Sequence, residues 1–197
     1  MIENNLVWIP FILLSYFLLG FLLKFADASF DDKLFSKKKS FFIMLIVAVF
    51  SAILMYLSDE TKIIFIAFII GLVLAKKIDN YAFITAAFIC FTIFFIVGGT
   101  IDIIYFNIEI FTILFVAILL EEKINYKKDK WFKTKKGKLF SFIFEYGVMV
   151  KLSGFVAFVI LSYNPLYFFA IILFDLGYDL MILITHKKLG KKILWNS

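Results

Sequence analysis

Residues 63–75 read I-I-F-I-A-F-I-I-G-L-V-L-A, and whether this run crosses a bilayer decides the side on which every later segment lies. It is bounded by Thr61-Lys62 and Lys76-Lys77 and holds no ionisable residue. At about 1.5 Å per helical residue it reaches only about 20 Å, short of the ~30 Å hydrocarbon core. The lysines at its two ends can extend to the headgroups and supply the remainder. A run that turned back instead would carry each following connection to the opposite side.

Six further apolar runs flank it, at residues 6–23, 41–57, 81–99, 103–120, 139–163 and 165–185, each closed by charged or turn residues. Of the 197 residues, 63% are hydrophobic, against the roughly half-apolar usage of soluble domains, so lipid is the expected solvent. The expectation is an all-α, polytopic membrane protein with seven transmembrane helices. These form one transmembrane domain over residues 1–197, with only short loops left over. The first run is too long for a signal-peptide core and is preceded by Glu3 rather than by basic residues, so it is read as a retained span.

Lysine sets the orientation. The 21 basic residues are all lysine, and they alternate along the connections: five from Lys24 to Lys39, one at Lys62, two at Lys76 and Lys77, none over 100–102, eight from Lys123 to Lys138, none at Asn164, and four in the tail. Nineteen therefore fall on one side. The positive-inside rule makes that side cytoplasmic, which leaves the N-terminus outside, the C-terminus in the cytoplasm, and the whole in the cell membrane. Segment 121–138, with Trp131 and Phe132 among its lysines, is expected as the longest loop, lying on anionic inner-leaflet lipids. The net charge of +6 follows from the same lysines and does not imply nucleic acid. Cys90 is the sole cysteine, so one chain can build neither a disulfide nor a cysteine metal site.

Ionisable residues within spans are costly and mark either a structural pair or a site. Asp102, Tyr105, Glu109 and Thr112 share a face of the fifth run, and Asp175, Asp179 and His186 a face of the seventh. Both faces can also be interfacial helix ends that look at water. Lys151 and Asp175 lie at matched depths on two helices joined by the tight Asn164-Pro165 turn, and are expected to form an intramembrane pair. Glu145 and Asp179 fall at a second common level, where two carboxylates would share a proton or a cation. Six residues separate Glu145 from Lys151, so both cannot point at the seventh helix; Glu145 can instead turn towards Lys138 or the headgroups.

A third acidic group follows the first span, in Lys24-Phe-Ala-Asp27-Ala-Ser-Phe-Asp31-Asp32-Lys33. Asp27 and Asp31 share a face if the helix continues, and Asp79 opens on the same side. Carboxylates at this spacing can hold Mg²⁺ or Mn²⁺ together with substrate phosphates. The metal-ligating candidates are therefore Asp27, Asp31, Asp32 and Asp179; the catalytic candidates are Asp27, Asp31, Asp79, Glu145 and Asp179. The same acids can also simply offset the adjacent lysines. No Ser-His-Asp set, zinc-binding histidine motif, P-loop or dinucleotide fingerprint is present.

Three functions fit this pattern. A divalent-metal-dependent enzyme acting on a phosphate-bearing lipid at the cytoplasmic face comes first, because it uses the inner carboxylates and lysines together. A small transporter or ion-coupled carrier would use Lys151 and Asp175 near the midplane. A non-catalytic membrane assembly subunit would use the same groups as helix-packing glue.

Overall fold

The computed structural model describes residues 7–31, 35–76, 80–98, 107–131, 148–161 and 164–188, with no side chains for residues 31, 124–131 and 186–188. Of the described residues 91% are helical and none is in a strand, which establishes the all-α class.

Helix α1 covers Trp8–Asp31. Pro10 falls in its first turn, where its missing N–H has no acceptor to lose. The helix does not stop at the end of the apolar run. It continues through Lys24 and Asp27, which pair one turn apart, and through Ala26 and Ala28, which are buried. Asp27 and Asp31 therefore belong to one helix.

Helix α2 spans Lys37–Leu57 and α3 spans Asp59–Leu74. Ser58 separates them and caps α3, its hydroxyl accepting from the Thr61 N–H at 3.2 Å, while Asp59 and Glu60 occupy the positive end of the helix. The short third run is thus lengthened at its start by a polar turn that the apolar pattern alone does not register. Lys76, at φ 58°, closes α3 in the left-handed conformation.

Helix α4, Tyr81–Ile96, is capped by Asn80, whose side-chain oxygen accepts from the Phe83 N–H at 3.1 Å. Helix α5, Ile108–Trp131, corrects the expected 121–138 loop, since the helix runs on through its first half. Residues 121–131 contain neither Gly nor Pro and are rich in Glu and Lys, which favour helix, so no local signal ends it at Leu120.

Helix α6, Val148–Phe155, passes into a π-helical turn over Val156–Ile160, closed by the Leu161 N–H on the Val156 carbonyl at 3.0 Å. Asn164 and Pro165 then start α7, Leu166–Lys188, with the Asn164 side-chain oxygen accepting from the Leu166 N–H.

The chain divides into two compact units. The first holds residues 1–51, 80–90 and 169–197, hence α1 and parts of α2, α4 and α7. In it α1 and α7 meet backbone to backbone: a Cβ on Gly20 would collide with the Phe174 carbonyl, and one on Gly177 with the Phe17 carbonyl. Close approach through glycine is how helices pack where lipid removes any hydrophobic gain from association. Around this crossing Ile12, Tyr16, Leu19 and Met181 are buried, and the Tyr81 ring lies against Phe30 and Phe41.

The second unit, residues 52–79 and 91–168, centres on α3, which packs along α5, with α6 also against α5. Ile63, Ile64, Ala67, Ile110 and Leu114 form its core. Gly71 lies against Ile118, whose Cγ2 would be 2.9 Å from an added Cβ.

Three helices are long and apolar enough to cross a membrane, Trp8–Phe30, Lys37–Leu57 and Leu166–Thr185, and two shorter apolar helices accompany them among the described residues. Their outward surfaces agree. Phe88 is 71% exposed and Phe42 67%, a display that water would not tolerate over so many large side chains and that lipid would. The chain is a membrane protein by these helices.

Candidate functional site

In the first unit the polar centre is Lys24, Asp27 and Tyr178. Lys24 and Asp27 lie one turn apart on α1, so they face the same way, and the Lys24 ammonium donates to Asp27 Oδ2 at 2.5 Å. The same ammonium sits 5.0 Å from the centroid of the Tyr178 ring, within the range of a cation–π contact. The Tyr178 hydroxyl reaches Asp27 Oδ2 at 3.5 Å, a long bond that can tighten when the carboxylate is reoriented.

The Lys24 and Asp27 side chains are 19% and 27% exposed, so the pair is screened by protein on most sides and open on one. Asp27 Oδ1 takes no hydrogen bond from any described residue. Backbone geometry explains why Tyr178 is at hand. Gly20 precedes Lys24 by one turn and Gly177 precedes Tyr178 by one residue, so the tight crossing draws the two side chains together. Sequence reading singled out Asp27, counted Lys24 only among the inner lysines, and missed Tyr178, whose part depends on the helix crossing at Gly20 and Gly177.

The other expected site residues distribute as follows. Asp31 ends α1, with its side chain outside the described set; Asp32, Asp79 and Glu145 lie outside the described residues altogether, as do Asp102 and Tyr105. Asp175 and Asp179 are one turn apart on α7 in the first unit, both part-buried. Lys151, part-buried on α6, belongs to the second unit. Among the described residues no three His, Cys, Asp or Glu side chains converge as a metal site would require. Asp27 and Asp179 are the described members of the expected metal set.

The second unit holds a polar cluster that sequence reading did not single out. Ser58 and Tyr167, both buried, are joined by a hydrogen bond of 2.5 Å, and the Ser58 hydroxyl donates to Glu60 Oε2 at 3.2 Å. Lys62, expected to extend to the outer surface, is only 5% exposed: Asp59, one turn earlier, accepts from its ammonium at 2.9 Å, and the Phe94 ring lies 5.7 Å away. The Ser58-Asp59-Glu60 turn before the apolar run is a local signal that could have given the cap and the Lys62 partner. Nothing local foreshadowed Tyr167.

Glu121 also acts across elements, its Oε2 accepting from the Val150 N–H at 3.1 Å and so meeting the first turn of α6 with a negative charge. Comparison of the chain with known protein families, with characterised proteins and with solved structures finds no match.

Proposed function

We propose that this is a multi-pass protein of the cell membrane, with seven spans and the N-terminus outside, that acts on a phosphate-bearing lipid at the cytoplasmic face through Lys24, Asp27 and Tyr178. The observation that carries the site is the part-buried Lys24 ammonium, held between the Asp27 carboxylate and the face of Tyr178.

The topology is supported by which helix ends meet within each unit. In the first, Tyr81 at the start of α4 touches Phe30 near the end of α1 and Phe41 near the start of α2, three ends that the lysine distribution assigns to the inside. In the second, Ser58 and Lys62 at the start of α3 meet Tyr167 at the start of α7 and Phe94 near the end of α4, all assigned to the outside. At the other end of α3, Gly71 lies on Ile118, in the part of α5 assigned to the inner half. This pattern of ends is the one expected of a third run that crosses.

At the inner surface, Lys24 supplies the cation that a phosphate seeks, and Asp27 is positioned beside it to take a proton or a divalent cation through Oδ1. Mg²⁺ and Mn²⁺ are commonly held by one or two carboxylates plus substrate phosphates, so Asp27 need not recruit a full protein cage. A phosphate drawing on Lys24 would loosen its bond to Asp27 and release the carboxylate for that role. Lipid and ion binding both raise the melting temperature of a protein that binds them only when folded. The purified protein is therefore melted with Mg²⁺ or Mn²⁺ and a lipid diphosphate, beside Lys24→Met and Asp27→Asn/Asp31→Asn. The wild type should be stabilised and both variants much less so. Equal shifts in all three would end this proposal and leave the acids as partners of the lysines.

A further inference from the structure

We infer that the second unit fits a hydrocarbon layer only about 20 Å thick, so that its exposed apolar belt takes short-chain lipid and thins a bilayer of ordinary depth around it. This rests on the crossing of the third and fifth runs proposed above, but not on the Lys24–Asp27–Tyr178 site.

Charge sets the height. Gly71 of α3 lies against Ile118 of α5, and both helices run inward in that topology, so their residues can be matched by counting from this contact. Nine residues before it come Lys62 and Glu109; five beyond it come Lys76 and Lys123. Fourteen residues of helix therefore separate the outer charged level from the inner one, about 21 Å at about 1.5 Å each, against the ~30 Å core. Tilt would only lower this height. On α5 the interval lies open: Glu109, Thr112, Val116, Leu120 and Lys123 are all exposed and recur at helical spacing, so one outward stripe carries a charge at each end. Helix α6 agrees. Its Val150 N–H meets Glu121 near the inner level, and the Asn164 turn, three residues from the Tyr167 that bonds Ser58, closes it at the outer one, again fourteen residues away.

A second observation removes the usual remedy. Lysines at the ends of a short helix can reach outward to the headgroups and supply the missing height. Lys62 does not: its ammonium is buried, held by the Asp59 carboxylate at 2.9 Å and lying over the Phe94 ring. Glu109 has a shorter side chain, so only Lys76 and Lys123, at the inner end, have reach to spare. The outer shortfall falls to the lipid. A charge held in hydrocarbon is expensive, whereas a bilayer relieves mismatch at a modest cost per ångström, so the bilayer is what yields. Between the charged levels Val73, Val116, Leu120, Leu152 and Ile160 are exposed, a surface for acyl chains. Charge also decides against a second copy. Two copies related by an axis along the membrane normal would set Glu109 against Glu109 and Lys123 against Lys123 across this stripe, whereas lipid phosphates match the lysines.

The test uses the full chain in nanodiscs of dimyristoleoyl, dioleoyl or dierucoyl phosphatidylcholine, which share a headgroup and differ in thickness. Wild type should melt highest in the dimyristoleoyl discs and several degrees lower in the dierucoyl ones. Glu109→Leu/Lys123→Leu lengthens the belt at two exposed positions and should move the optimum to dioleoyl. Spin labels on single cysteines, in a chain with Cys90→Ala, read the thinning without relying on stability. In dioleoyl discs the labels of Glu109→Cys and Lys123→Cys should meet a water-soluble nickel chelate, and that of Val116→Cys oxygen alone. The inference is overturned by a wild-type optimum in either longer lipid, by an unmoved optimum in the double variant, or by a Glu109→Cys label that meets only oxygen. A Val116→Cys label shielded from both reagents overturns it too, because a second copy would then cover the belt. In intact cells an impermeant thiol reagent should reach Glu109→Cys and not Lys123→Cys. Reaction of both would show that the second unit does not cross, and the proposed topology would fall with this inference; the other adverse results leave that topology standing.

Discussion

Ser58 shows how much one small side chain can organise. Its oxygen receives the Thr61 N–H, meets the Tyr167 hydroxyl and donates to Glu60, so it joins a helix start to a segment more than a hundred residues away. Ser58→Ala removes the cap and leaves the buried Tyr167 hydroxyl without its serine partner; stability should fall by about 1–3 kcal/mol, read from melting in detergent. Tyr167→Phe keeps the cap and should cost less, about 0.5–1.5 kcal/mol. The double variant should lose less than the sum of the two, because both singles break one bond. Strict additivity would mean that the two hydroxyls do not interact. Of this cluster only the Ser-Asp-Glu start of α3 has a local signal, a capping pattern that reading by apolar runs passed over. Tyr167 has none, because its role depends on where the end of a distant turn comes to rest.

At the scale of elements, glycine positions discriminate between two kinds of contact. Cβ atoms at Gly20 and Gly177 would strike main-chain carbonyls of the partner helix, which cannot turn aside. Gly20→Ala or Gly177→Ala should therefore force α1 and α7 apart and cost about 1–3 kcal/mol. The same change at Gly71 meets the Ile118 side chain, at Cγ2 and the branched Cβ, rather than main chain, so a small shift of that side chain offsets the ~0.5–1 kcal/mol that alanine gains over glycine within a helix. Gly71→Ala should be near neutral, and equal losses at all three positions would contradict the distinction. Lys24→Met has an element-level consequence too: it strips the clamp from Asp27 and Tyr178 at this crossing, and should destabilise the protein more than Lys24→Met/Asp27→Asn, which removes both charges. Similar melting of the two variants would show that the pair is not coupled.

For the whole molecule the decisive measurement is sidedness. With Cys90 replaced by Ala, single cysteines at Asn4 and Asn164 should react with an impermeant reagent in intact cells, and those at Ser36, Thr134 and Ser197 should not. Labelling at Thr134 would reverse the lysine-based orientation and with it the cytoplasmic site. Composition and the length of the apolar runs determined by themselves that this chain is helical and belongs in lipid, because a bilayer demands long apolar segments with every backbone bond made internally. The lysine alternation predicts an orientation, again without reference to tertiary contacts. Helix ends were less legible: α1 runs on to Asp31 and α5 to Trp131 because Lys, Glu and Ala favour helix whether or not lipid surrounds them. What only the tertiary structure decided is which polar groups meet. Tyr178 reaches Lys24 because two glycines let backbones touch, and Lys62 is buried because Asp59 and Phe94 are in place to receive it. Hydropathy is a property of each segment alone, whereas a hydrogen bond or a cation–π contact needs a partner at a given distance, and that distance exists only after the helices have packed.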